Sequence, residues 1–192
     1  MLIPRRHFLL SALLPFIAPR LGFASSTGTG WKRVPDGPVR RVAFGSCALQ
    51  WEPQPIWNAV AKARPELFLF LGDNIYGDWH GGAPFVPTAE SLNADYQMLA
   101  DKPEFAAVRD RVHFMATWDN HDYGRHNGGA EFELKEMTRR VFLDFFGESV
   151  DSPRRNRDGI YDAKIIGPEG TRVQVILLDN RWNRGPLIPD TR

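Results

Sequence analysis

"ELFLFLGD" (residues 66–73) sets an unbroken apolar run, Leu67 to Leu71, between a glutamate and a Gly-Asp pair. An apolar run without alternation reads as a strand covered on both faces, the usual state of parallel strands in layered α/β folds. Two similar runs flank it, "RVAFGSC" (41–47) before and "VHFMATWD" (112–119) after. Helical patterns fill the gaps. "PQPIWNAVAKAR" (53–64) carries Ile56, Trp57 and Val60 at helical spacing, and "TAESLNADYQMLADKPEFAAVRDR" (88–111) reads as two helices broken at Pro103. "AEFELKEMTRRVFLDFF" (130–146) is again helical, and "YDAKII" and "RVQVILLD" joined by "GPEG" form a hairpin signal. Strand–helix alternation of this kind predicts an α/β fold around a parallel sheet, with ligands held beyond the C-terminal ends of its strands.

The polar residues that invite attention sit at those ends. Cys47 follows the first strand, Asp73 to Asp78 the second, Asp119 to Asp122 the third, and "DNRW" (179–182) the last. A surface turn needs one Asn or Asp, whereas "ATWDNHDYG" (116–124) packs Asp119, Asn120, His121 and Asp122 together. Carboxylate, amide, thiol, phenol and imidazole converging on one edge point to a metal site. A carboxylate such as Asp73 can bridge two cations, Cys47 and Tyr76 suit a trivalent iron, and Asn120 offers a carbonyl oxygen to a harder divalent ion. His121 is a ligand or a proton donor to a leaving group. A metal pair of that kind clamps a phosphate and activates a water for in-line attack. Plainer readings stand beside these. Cys47 alone reads as a small buried side chain, "GDN" as a turn and Tyr76 as a core aromatic. His113 lies inside a strand and is structural; His80 and His126, in glycine-rich loops, read as solvated, and residues 152–158 as an exposed charged loop. Arg181 grips phosphate or pairs with a carboxylate.

Composition narrows the function classes. With 192 residues, 43% hydrophobic, 24% charged and a net charge of +1, the chain suffices for one domain and has no bias toward nucleic acid or anionic membranes. Its start differs: "MLIPRRHFLLSALLPFIAPRLGFASS" has the Arg5-Arg6 pair, an apolar stretch from Phe8 to Ala18 and small residues at Gly22 and Ala24. That order describes an export signal over residues 1–24, and "RRHFLL" resembles the twin-arginine consensus read by the folded-protein export machinery. Residues 25–40 then read as a linker and 41–192 as the domain, placing the protein in the periplasm or outside the cell. The apolar stretch is short and proline-broken against the roughly 20 residues a membrane span requires, so no stable span is expected, an uncleaved anchor being the alternative. Cys47 is the single cysteine, which rules out an internal disulfide.

Five motifs in order resemble one known family. "FGSC", "LFLFLGDNIYGD", "ATWDNHDYG", "FELKEMTRRVFLDFFGES" and "GIYDAKI…VQVILLDNRW" are similar to those of the alkaline phosphatase D family, the PhoD-like branch of metallophosphoesterases. The resemblance runs from about Arg41 to the C-terminus. It implies an αββα sandwich that hydrolyses phosphate esters with iron (Fe3+) and a divalent cation, calcium by expectation. Carried over by motif, Cys47 and Tyr76 become iron ligands, Asp73 the bridging carboxylate, Asn120 a ligand of the second metal and His121 the catalytic group beside the phosphate; Arg181, not part of that carry-over, is the candidate substrate-binding residue. The family usually reads Asp-Asp-His-Asp where this chain has "DNHD", which removes one negative charge from the divalent site. Relatives also continue well past "LDNR" into a Gly-Asp-x-His-type motif, so the chain is expected to form the front part of the sandwich, incomplete at its C-terminus. That leaves three readings: a phosphoesterase, an inactive truncated fragment, or a half-domain completed by a partner chain.

Overall fold

Phe68 and Phe70 point one way from the central strand while Leu67 and Leu69 point the other, and each set has its own core. The computed structural model describes Trp31 and residues 34–187. The proposed signal at residues 1–24 lies outside the described residues. Three strands, β1 (Val42–Gly45), β2 (Leu67–Leu71) and the strand His113–Thr117, pair in parallel in that order, with Leu67 opposite both Val42 and His113. A short ribbon, β3 (Trp79–His80) with β4 (Ala83–Pro84), precedes the third of them, which is therefore β5.

Helices cover the Phe68/Phe70 face. α1 (Ile56–Ala63) buries Trp57, α2 (Ala89–Ala100) buries Leu92, Tyr96 and Leu99, and α3 (Pro103–Arg109) buries Phe105 and Val108. Pro103 opens α3 at its first turn, where a missing N–H costs nothing. Thr88 and Ser91 cap α2 reciprocally, each hydroxyl accepting the other's N–H at 3.1 and 2.9 Å. After a single-turn helix α4 (Asn120–Tyr123), α5 (Lys135–Phe145) completes this layer with Val141, Phe142 and Leu143. Trp31 docks here too, edge-on to Phe105, Phe114 and Phe145. Each fully buried aromatic in this cluster contributes about 1.5–3 kcal/mol.

The opposite face meets a hairpin, β6 (Asp162–Ile166) and β7 (Val173–Leu177), whose Ile166, Val175 and Leu177 close a second core on Leu67 and Met115. Helices, parallel sheet and hairpin thus form three layers of the sandwich that the sequence implied. The hairpin packs on β2 and β5 but leaves the same face of β1 and the last residue of β2 open: Phe44 is 70% exposed, and Val42 and Leu71 are also exposed. On the hairpin's outer side Ile165, Ile176 and Leu178 are uncovered. Among the described residues no helix is long and apolar enough to cross a membrane.

Three local expectations need correction. The last helix begins at Lys135 rather than 130, because Ala130 N–H is drawn to the Arg184 carbonyl and Phe132 N–H to Gly129, turning the chain before it can coil. The stretch 152–158 is not simply exposed. Arg154 is buried, its guanidinium donating to Glu148 at 2.8 Å and to the carbonyls of Ile160 and Ala116, so the charge enters the core fully partnered. His80 is half-buried rather than solvated, held by Asp95 at 2.9 Å and stacked on Phe85.

Candidate metal and phosphate site

The ends of β2 and β5 are tied together by Asp122. Its carboxylate accepts the backbone N–H groups of Asp73 (3.2 Å), Asn74 (3.0 Å) and Asp119 (2.7 Å), and the side-chain amide of Asn74 at 2.5 Å. Burial pushes its carboxyl well above the usual range, against the pull of the Asn74 and Asp119 N–H groups. Gly72 makes the junction possible. It adopts φ +109°, and a Cβ there would lie 2.6 Å from that of Asp119.

This knot leaves two non-glycine residues in the left-handed region side by side, Cys47 (φ 61°) and Asp73 (φ 50°). Each costs of order 1 kcal/mol and persists only because neighbours hold it. Cys47 N–H donates to the Gly72 carbonyl at 3.3 Å and Ala48 N–H to that of Asp73 at 2.9 Å. Their side chains meet as a result: the exposed Cys47 thiol points at Asp73 Oδ2, 3.8 Å away. Tyr76 joins them, its N–H fixed by Gln50 at 2.9 Å. Burial first, then the negative potential of Cys47 and Asp73, drives the Tyr76 phenol far above its ordinary value. Burial likewise raises Asp73, whose other oxygen accepts the His121 N–H at 3.2 Å. Acidic donors crowded in this way create a field that a cation would relieve.

His121 sits over Tyr76 with ring centroids 4.1 Å apart, and its Nδ1 is 2.6 Å from the buried Asp78 carboxylate. Burial disfavours the imidazolium, but the Asp78 bond and the charges of Asp78, Asp73 and Asp119 outweigh it, so the His121 pKa lies above its usual value. Asp78 thereby fixes Nδ1 and the orientation of the ring. Arg181 also reaches the cluster. Its Nε donates to Asp119 at 2.5 Å, and its Nη2 approaches Asn120 Oδ1 at 3.4 Å. Asp179 sets that loop by accepting from Trp118 Nε1 and from the N–H groups of Arg181 and Trp182.

A solved structure of PhoD has a similar fold, with a TM-score of 0.64. The fold is PhoD-like. The two share 17% identity, and the match spans 81% of this chain but 34% of that one, so this chain corresponds to about a third of the PhoD chain's length. No protein-family model matches the sequence, and no curated protein does.

Thiol, carboxylate and phenol from Cys47, Asp73 and Tyr76 fit iron in kind. They amount to an open half-shell: among the described residues no group of three or more His, Cys, Asp and Glu side chains is placed to hold a metal ion. Asn120 fits less directly. It adjoins His121, but its amide is engaged by Arg181 on one side and by His126 Nδ1, 3.3 Å away, on the other. Sequence reasoning left Asp78 and Asp122 without roles. The signal for Asp78 was its place at the end of "LGDNIYGD", within the same buried turn as Asp73.

Proposed function

We propose that this chain carries the metal- and phosphate-binding part of a periplasmic phosphoric ester hydrolase, exported by the twin-arginine route. The observation that supports it most is the convergence of Cys47, Asp73 and Tyr76 beside the His121–Asp78 pair at the C-terminal ends of the parallel strands. In this reading Cys47, Asp73 and Tyr76 hold iron, Asp73 and Asn120 face a divalent cation such as calcium, and the substrate is a phosphate ester. Bound there, the metals supply positive charge for the phosphate oxygens and Lewis acidity for the attacking water. His121 supplies a proton from Nε2 to the departing ester oxygen. Asp78 keeps the ring's other nitrogen protonated and its plane fixed. Arg181, paired with Asp119, orders the rim and stands within reach of a phosphate that displaces part of that pair. The test is hydrolysis of p-nitrophenyl phosphate and its diester by the purified chain supplied with iron and calcium. Turnover that disappears in Asp73→Asn is expected; an inert chain under those conditions overturns the reading for this polypeptide.

A second reading rests on the uncovered apolar surface. Val42, Phe44 and Leu71 on one sheet and Ile165, Ile176 and Leu178 on the hairpin present faces that a further polypeptide would cover. On that reading, activity needs the remainder of a longer domain or a partner chain that supplies it. A strictly monomeric, soluble and active chain in sedimentation and turnover assays contradicts it.

A further inference from the structure

Beside the His121–Asp78 pair lies a groove of about 540 Å³ that the phosphate chemistry does not use. The β3–β4 ribbon and the segment after it line it with Trp79, Phe85 and Val86, and Phe132 and His126 line it too. Asp78 belongs to both places: its carboxylate holds His121, and the same residue lines the groove. His126 makes a second link through its contact with Asn120. The ribbon is built to stay in place. Phe85 N–H donates to the Asp78 carbonyl at 2.7 Å, and Phe85 stacks on His80, which Asp95 anchors to α2.

Trp79, Phe85 and Val86 keep substantial exposed surface although they adjoin one another, an arrangement that suits a ligand better than water. From this we infer that the groove receives the alcohol portion of the substrate and selects phosphate esters with a flat, aromatic leaving group. The inference rests on the phosphoesterase reading and deepens it. Flat ring walls favour an aromatic partner over a small alkyl one, and the volume falls within the range of small-molecule sites, far larger than a methyl ester fills.

Phenylphosphonate and methylphosphonate, which carry the same phosphorus group and resist hydrolysis, separate the two ideas when titrated calorimetrically into the chain supplied with iron and calcium. The aromatic ligand is expected to bind about tenfold more tightly, one partly buried ring being enough for that factor. In Val86→Asn and in Trp79→Ser the advantage should fall below about threefold while methylphosphonate affinity stays as it was. Val86 is 74% exposed, so its substitution leaves folding undisturbed. Equal affinity of the two ligands overturns the groove assignment alone. Binding of neither removes the phosphate site and the groove assignment with it.

Discussion

One histidine–aspartate pair is built into the β3–β4 ribbon and another lies beside it, and their surroundings differ. His121 meets Asp78 at 2.6 Å, and His80 meets Asp95 at 2.9 Å, both carboxylates being buried. His121 is bound through Nδ1, lies over Tyr76 and borders the strained Cys47–Asp73 junction. His80 is bound through Nε2 and lies flat on Phe85. In the proposed reading the same chemistry serves reaction in one place and anchorage in the other. What differs is the neighbourhood: acidic donors on left-handed backbone around His121, an aromatic stack on the ribbon and a carboxylate from helix α2 around His80.

Exchanging the two aspartates breaks or sharpens that contrast. Asp78→Asn is expected to lower turnover by about two to four orders of magnitude, as loss of an oriented acid–base group does, besides a stability loss of roughly 1–3 kcal/mol because its carboxylate too is buried on a histidine. Asp95→Asn should cost similar stability without the loss of turnover. Turnover on a small alkyl phosphate is expected to stay within about threefold, while stability falls by roughly 1–3 kcal/mol because the buried amide no longer satisfies His80. If Asp95→Asn abolishes turnover as Asp78→Asn does, the two pairs are not distinct and the contrast fails.

A third pair, Glu148 with Arg154, gives the smallest effect and a control far from the donors. Burial alone would raise Glu148, but Ser152 and Arg154 outweigh it and its pKa lies below the ordinary 4.5. A lowered carboxylate stabilises the fold above its unfolded value and loses that contribution as pH falls through its folded value. The stability gap between the native chain and Glu148→Gln should therefore be full near neutrality and shrink as pH drops below about 4.5. A gap that stays constant down to the acid transition would show that the Glu148 charge contributes nothing.

The parallel sheet was legible because Leu67–Leu71 is apolar without interruption, and no amphipathic helix or solvent-facing strand reads that way. The strand ends were legible for the same reason, since they bound the runs. The roles of neighbouring carboxylates were not. Asp73, Asp78, Asp119 and Asp122 look alike in the chain, yet one faces the thiol, one holds the histidine, one pairs with Arg181 and one ties two loops together. Those assignments depend on contacts 26 to 62 residues apart in sequence, which no local pattern encodes. The burial of Arg154 was hidden likewise, because "SPRRNRD" has the composition of a surface loop and its partners Glu148, Ala116 and Ile160 explain its place.

The most direct test of the metal site is visible absorption of the purified chain titrated with iron(III), read alongside its metal content. A phenolate or thiolate on trivalent iron gives a charge-transfer band, and the account predicts one that saturates at about one iron per chain, disappears or shifts in Tyr76→Phe and Cys47→Ser, and is absent in Asp73→Asn. A chain that takes up no iron, or one whose band is unchanged in all three variants, would contradict the assignment of Cys47, Asp73 and Tyr76 as the metal-holding face.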